Sequence, residues 1–132
     1  MVLVDTNVIL DVWDNDPVWA NWSIAQLNRL HKTESLRINV IIYAELSRLY
    51  ASSADLDAGL SKLKIGIEYI SRDAAFLAGR AFVQYRKQGG TKTNVLADFF
   101  IGAHAEASRC PLLTRDARRY ATYFPSVPLI AP

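Results

Sequence analysis

Short apolar runs bounded by polar turns alternate along this chain with longer stretches of helical period. Val2-Leu3-Val4 is a continuous apolar run of the kind buried on both faces of a sheet. A short helix is expected over residues 7–13 and a second over 17–32, with Asp16 as its N-cap and Pro17 in its first turn. Residues 36–39 read as the second strand. Residues 40–52 are helical by period, with Ile42, Leu46, Leu49 and Tyr50 on one side. A helix over 54–64, available for capping by Ser53, leads to a third strand at 65–70. A long helix over 72–88 then runs into the loop Gly89-Gly90-Thr91-Lys92-Thr93-Asn94. Helix returns over 95–108, followed by a fourth strand at 111–113, a short helix at 116–123 and a fifth strand at 127–130.

Strands separated by helices of this length require parallel βαβ crossovers. The expected fold is therefore α/β: a three-layer α/β/α sandwich with a short, mainly parallel sheet of four to five strands. The 132 residues carry no repeat, low-complexity tract or linker, so a single domain over 1–132 is expected. With 51% apolar residues, intrinsic disorder is excluded. No stretch approaches the ~18 uninterrupted apolar residues of a membrane span. The start of the chain has no signal-type segment, so a soluble, cytoplasmic protein is expected. Cys110 is the sole cysteine, which excludes an internal disulfide and a Cys-based zinc site.

In parallel α/β sheets, ligands sit beyond the carboxyl ends of the strands. Asp5 directly follows the first strand, where it serves equally as an N-cap or Asx turn. Glu45 falls between Ile41 and Leu49, at the edge of its helix's apolar stripe; its structural alternative is a salt bridge to Arg48. Asp98 interrupts the most apolar run of the second half, 95–103, where a carboxylate needs a partner or a metal unless the helix dipole alone accounts for it. Asp116 lies just past the fourth strand, where it or Thr114 also suits a helix cap. Four such charges about 5 Å apart repel by roughly 3 kcal/mol per pair at an effective dielectric near 20. Convergence therefore requires protons or a divalent cation, and all-oxygen ligation favours Mg²⁺ or Mn²⁺ over zinc. His31 and His104 have no second ligand at metal-binding spacing and read as surface or packing residues.

Four segments together carry a family resemblance. Val-Leu-Val-Asp5-Thr6-Asn7, Tyr43-Ala44-Glu45-Leu46, Leu96-Ala97-Asp98-Phe99-Phe100-Ile101-Gly102-Ala103-His104-Ala105 and Leu112-Leu113-Thr114-Arg115-Asp116 resemble PIN-domain nucleases. Their order and the chain length look most like the VapC toxins of prokaryotic toxin–antitoxin pairs. The resemblance implies a Mg²⁺- or Mn²⁺-dependent endoribonuclease in which Asp5 and Asp98 are the principal metal ligands and Glu45 and Asp116 complete the acidic pocket. Thr6, Asn7 and Thr114 would orient carboxylates, water or phosphate. Activated water would attack phosphorus in line, leaving a 5′-phosphate and a 3′-hydroxyl without using the RNA 2′-OH. A small cognate antitoxin is implied as partner, with homodimers and toxin–antitoxin hetero-oligomers. Trp13, Trp19 and Trp22 are candidates for an antitoxin groove, a dimer contact or plain core.

Other motifs carry less. The 90–93 segment lacks the Gly-Lys adjacency of a phosphate-binding loop and follows a helix, although Lys92 is placed to approach a substrate phosphate. Arg115, Arg118 and Arg119, beside the fourth acid, are candidate RNA-backbone contacts or a solvated helix face. A receiver-type phosphotransfer domain would need an acidic pair after strand one, where Asp5-Thr6-Asn7 stands instead. A non-catalytic RNA- or protein-binding module is the remaining alternative, opposed by the complete set of four acids. The net charge of +2 comes from 15 bases and 13 acids; setting the four acids aside leaves 15 bases against nine acids around a site of −4. That separation predicts salt-sensitive RNA binding.

Overall fold

The computed structural model describes residues 1–132. Its strands are β1 (Val2–Val4), β2 (Leu36–Asn39), β3 (Ile65–Glu68), β4 (Leu112–Leu113) and β5 (Leu129–Ile130). All pair in parallel, in the order β3-β2-β1-β4-β5. Seven helices fill the connections: α1 (Thr6–Trp13), α2 (Ala20–Leu30), α3 (Val40–Ser47), α4 (Ser53–Lys62), α5 (Arg72–Lys87), α6 (Leu96–Ser108) and α7 (Arg118–Tyr123). With the right-handed crossovers that parallel βαβ units adopt, this strand order assigns α1 to α4 to one face and α5 to α7 to the other, the three layers that the alternation of patterns predicts.

The chain leaves the central β1 toward β2 and β3, then returns to add β4 and β5 on the opposite side. The direction of winding therefore reverses between β1 and β4, which opens a crevice at their carboxyl ends. Val2, Leu3 and Val4 are buried because a central parallel strand is covered on both faces. On the second face, Phe99 of α6 meets Phe82 and Tyr85 of α5 and Tyr123 and Phe124 from the end of α7, with ring centroids 6.1, 5.7, 5.1 and 6.3 Å away. These tilted and edge-on contacts suit the aromatic quadrupole and tie α5, α6 and α7 together.

Gly102 of α6 lies against the Phe124 ring of that cluster. A Cβ there would stand 2.3 and 2.5 Å from ring carbons of the buried Phe124. Gly102→Ala is therefore expected to destabilise the fold by about 1–3 kcal/mol through overpacking, despite the better helix propensity of alanine, and a lowered urea midpoint would record it. An unchanged midpoint would show that the ring relocates freely.

Several boundaries differ from the periodic reading, each for a local reason. Helix α2 starts at Ala20 because the Asp16 carboxylate accepts from the Val18 and Trp19 N–H groups, at 2.9 and 2.8 Å, and caps a separate turn. The helix expected over 40–52 stops at Ser47, and Ser52, one residue earlier than expected, caps α4 by accepting from Asp55 N–H. Leu49, placed by period on the apolar side, is exposed. Helix α7 begins at Arg118 rather than Asp116, because Asp116 N–H donates to Thr114 Oγ1 at 3.1 Å in a turn.

Candidate active site

Asp5 is the N-cap of α1, its Oδ1 accepting from Thr6 N–H at 2.7 Å. It is also almost wholly buried at the β1–β4 crevice. Adjacent parallel pairing, with Val4 opposite Leu113, sets Asp5 beside Thr114, whose hydroxyl donates to Asp5 Oδ2 at 2.8 Å. The Tyr120 hydroxyl donates to the same oxygen at 3.0 Å and Asn7 Nδ2 at 3.3 Å. The helix cap and the candidate ligand are thus one residue, held by four donors.

The other three acids arrive from separate elements. Glu45 of α3 accepts from Thr6 Oγ1 at 2.7 Å and makes no ion pair with Arg48, although both border the same opening. Asp98 lies in the first turn of α6, paired with the guanidinium of Arg119 from α7. Asp116 stands on the turn before α7. All four line one cavity of about 380 Å³, together with Thr6, Asn7, Leu10, Ala44, Arg48, Arg119 and Tyr120.

Burial sets the electrostatics. It pushes the Asp5 carboxyl up to about 6, against the lowering effect of its Thr114 and Tyr120 hydrogen bonds, and the Asp98 charge adds to the rise. Burial also raises Asp98, opposed by Arg119 and reinforced by Asp116. The Tyr120 phenol is held well above its ordinary value by burial and then by the Asp5 charge, so it is a proton donor to Asp5 at neutral pH. Two carboxyls raised by burial and by a neighbouring carboxylate, Asp5 by Asp98 and Asp98 by Asp116, are what a bound cation relieves, and an all-oxygen donor set matches Mg²⁺ or Mn²⁺ in kind. Their spacing is a different matter: no three acid, His or Cys side chains gather closely enough to form a ready cage for an ion.

The PIN-domain family model matches residues 2–125, nearly the whole chain. This chain belongs to the PIN-domain family. Among solved structures it is similar to VapBC2 from Rickettsia felis bound to a promoter DNA fragment, at 20% identity and a TM-score of 0.75, covering 99% of this chain and 98% of that one. A toxin–antitoxin complex from Klebsiella pneumoniae aligns at 25% identity and a TM-score of 0.62, covering 96% and 95%. The sarcin–ricin loop-cleaving toxin VapC20 of Mycobacterium tuberculosis aligns at 14% identity and a TM-score of 0.61, covering 92% and 95%. No curated protein matches the sequence.

In this PIN domain the basic candidates divide. Lys92, Arg118 and Arg119 line a second opening, which shares Asp116 and Arg119 with the acidic cavity. Arg115 lines neither; its Nε donates to the buried Asp11 carboxylate at 2.9 Å and its guanidinium lies 5.5 Å from the Trp19 ring centre. Asp11 also accepts from Ser23 Oγ at 2.8 Å. Arg115 is thereby a clasp between the Thr114 turn and the α1–α2 pair rather than a free phosphate contact, and its N–H donates to Asn7 Oδ1 at 3.1 Å.

Tyr120 and the Asp11 partnership escaped the sequence reading, and Arg48, weighed there only as an ion-pair partner of Glu45, lines the cavity instead. Tyr120 lies four residues after Asp116, so the helical spacing offered a hint, but its partner Asp5 is 115 residues away. His104 is buried and faces Asn39 Nδ2 through Nδ1 at 3.2 Å, and His31 Nε2 contacts the Leu63 carbonyl, so both histidines sit outside the acidic cavity. The three tryptophans are half-buried. Trp13 packs edge-on against Tyr50, and Trp19 against Trp22. No helix is long and apolar enough to cross a membrane.

Proposed function

We propose that this PIN-domain protein is a Mg²⁺- or Mn²⁺-dependent endoribonuclease, and the toxin of a toxin–antitoxin pair. The observation that carries the reading is the arrival of Asp5, Glu45, Asp98 and Asp116, from four separate segments, at one cavity on the topological switch point. A structural role for four separate acids would not need them on one opening. Asp5 and Asp98 are the residues that would hold the ion, with Glu45 and Asp116 completing the acidic wall. When bound, such an ion would supply Lewis acidity toward water and the scissile phosphate.

The chain's own groups do the rest. Thr6, Thr114, Asn7 and Tyr120 hold carboxylates in place by donating to them. Thr6 occupies Glu45 Oε1, leaving Oε2 open to take a proton from the attacking water. Lys92, Arg118 and Arg119, around the adjoining opening, supply positive charge for the RNA backbone. Attack by water makes the 2′-OH dispensable, so products carry a 5′-phosphate and a 3′-hydroxyl.

The partner reading rests on the fold neighbours, which come from toxin–antitoxin complexes. It is also supported by a groove lined by Trp13, Tyr50, Ala58 and Leu63 together with the charged Asp55 and Lys62, suited to an amphipathic antitoxin segment. The purified chain, free of partner, is expected to cut total RNA with Mg²⁺ or Mn²⁺ and to stop in EDTA, with mapped ends bearing 5′-phosphates. RNA binding without cutting under all these conditions would favour the non-catalytic module instead.

A further inference from the structure

One side chain borders both openings of the candidate site. Arg119 pairs with Asp98 on the wall of the acidic cavity and also lines the neighbouring, mainly cationic cleft with Lys92, Asp116, Arg118, Thr122 and Tyr123. Neither partner is deeply buried: the Asp98 side chain is 36% exposed and that of Arg119 30%. Both are therefore free to exchange partners without unpacking the core.

The pairing also bears on the absence of a ready ion cage. Asp98 is one of the two residues assigned to hold the ion, and here its Oδ2 is committed to a guanidinium. A divalent cation held by Asp5 and Asp98 would compete with the guanidinium for the same carboxylate. The guanidinium, singly charged and mounted on a flexible side chain, is the one that yields. The space to which it would turn is the adjoining cleft, already lined by Lys92 and Arg118 and suited to a phosphate.

We infer that Arg119 is a toggle: it neutralises Asp98 in the ion-free protein, and a divalent cation displaces it into the Lys92–Arg118 cleft, where it binds an RNA phosphate. Occupancy of the ion site and affinity for RNA are then positively coupled through one residue, and by linkage RNA tightens ion binding in return. This inference rests on the metal-dependent RNA-cleavage reading above and adds a regulated order to it.

The test uses the full chain and Mn²⁺, with free ion counted by electron paramagnetic resonance and RNA absent. Arg119→Ala is expected to bind Mn²⁺ roughly 5-fold more tightly than the unaltered protein, the worth of losing one competing partly exposed ion pair. Arg119→Lys, which keeps the competing charge, stays close to the unaltered protein, and so does Arg118→Ala. Fluorescence anisotropy with a short labelled RNA, in Ca²⁺ and in EDTA, reads the second half. The ion-induced gain in RNA affinity is expected to shrink in Arg119→Ala and to persist in Arg118→Ala, which weakens binding in both buffers alike.

Unchanged or weaker Mn²⁺ binding by folded Arg119→Ala overturns the toggle while leaving the nuclease reading intact. Absence of Mn²⁺ binding in both the unaltered protein and Arg119→Ala overturns the metal reading itself. A far-ultraviolet circular dichroism melt confirms that each variant is folded before its affinity is scored.

Discussion

Asp98→Asn is expected to cut RNA at least on the order of 10²–10³ times more slowly than the unaltered protein, the scale on which loss of one electrostatic stabiliser of a reacting centre is felt. Its fold should survive. The substitution is nearly isosteric and removes a charge whose burial is unfavourable, as the raised carboxyl indicates, while forfeiting an ion pair with Arg119. A partly exposed pair of that kind is worth about 0.2–1 kcal/mol, so the melting temperature should move by only a few degrees. Asp5→Asn is expected to be as inactive but less informative. All four of its partners donate, and the Thr6 N–H on one oxygen and the Asn7 amide on the other cannot accept, so an amide NH₂ set against either leaves a donor facing a donor, at a cost of about 1–3 kcal/mol. Cutting at the normal rate by folded Asp98→Asn would remove Asp98 from the metal site.

The second large effect is on stability and depends on pH. Magnesium or manganese is expected to raise the melting temperature little at pH 5 and by roughly 10 °C at pH 8. The Asp5 carboxyl is pushed up to about 6 in the folded protein from 3.8. Below pH 3.8 it is protonated in both states and contributes nothing. Between 3.8 and about 6 the unfolded chain releases this proton while the folded one retains it, so stability falls as pH rises. The loss is complete above about 6, at roughly 3 kcal/mol, or on the order of 10 °C for a chain of this size. Asp98, also raised, acts in the same direction. Asp16 acts oppositely, since backbone N–H donors from Trp19 and Val18 lower it, and its contribution is lost only as pH falls below 3.8. A divalent cation replaces the missing proton and restores the loss. Scanning fluorimetry across pH, with ion and with EDTA, measures the difference; an ion effect equal at pH 5 and pH 8 would contradict the placement of the ion on Asp5.

Much of the architecture was legible before any coordinates. Continuous apolar runs such as Val2-Leu3-Val4 and Leu112-Leu113 mark strands covered on both faces, and the helices between them require parallel crossovers. The site was legible as residue types in order: Asp5 and Asp116 just past strands, Glu45 at the edge of an apolar stripe and Asp98 inside an apolar run. Boundaries were less so, because a hydroxyl or carboxylate taking a backbone N–H, as Asp16, Ser52 and Thr114 do, ends or delays a helix without altering its period.

What the sequence determined by itself, then, was the alternation of elements, and with it the parallel sheet, and the four acids with their family resemblance. These are carried by neighbours along the chain, where side-chain period and residue type act directly. Tertiary structure alone decided who meets whom. Tyr120 and Asp5 are 115 residues apart, and Arg115 and Asp11 are 104 apart. Each pair exists only because β4 lies beside β1, at the point where the winding of the sheet reverses. The same adjacency tied Arg115 into a clasp, while the packing of α7 against α6 set Arg119 on Asp98. Two arginines four residues apart thereby received different work, because a charge settles on whichever opposite charge the packed fold brings within reach.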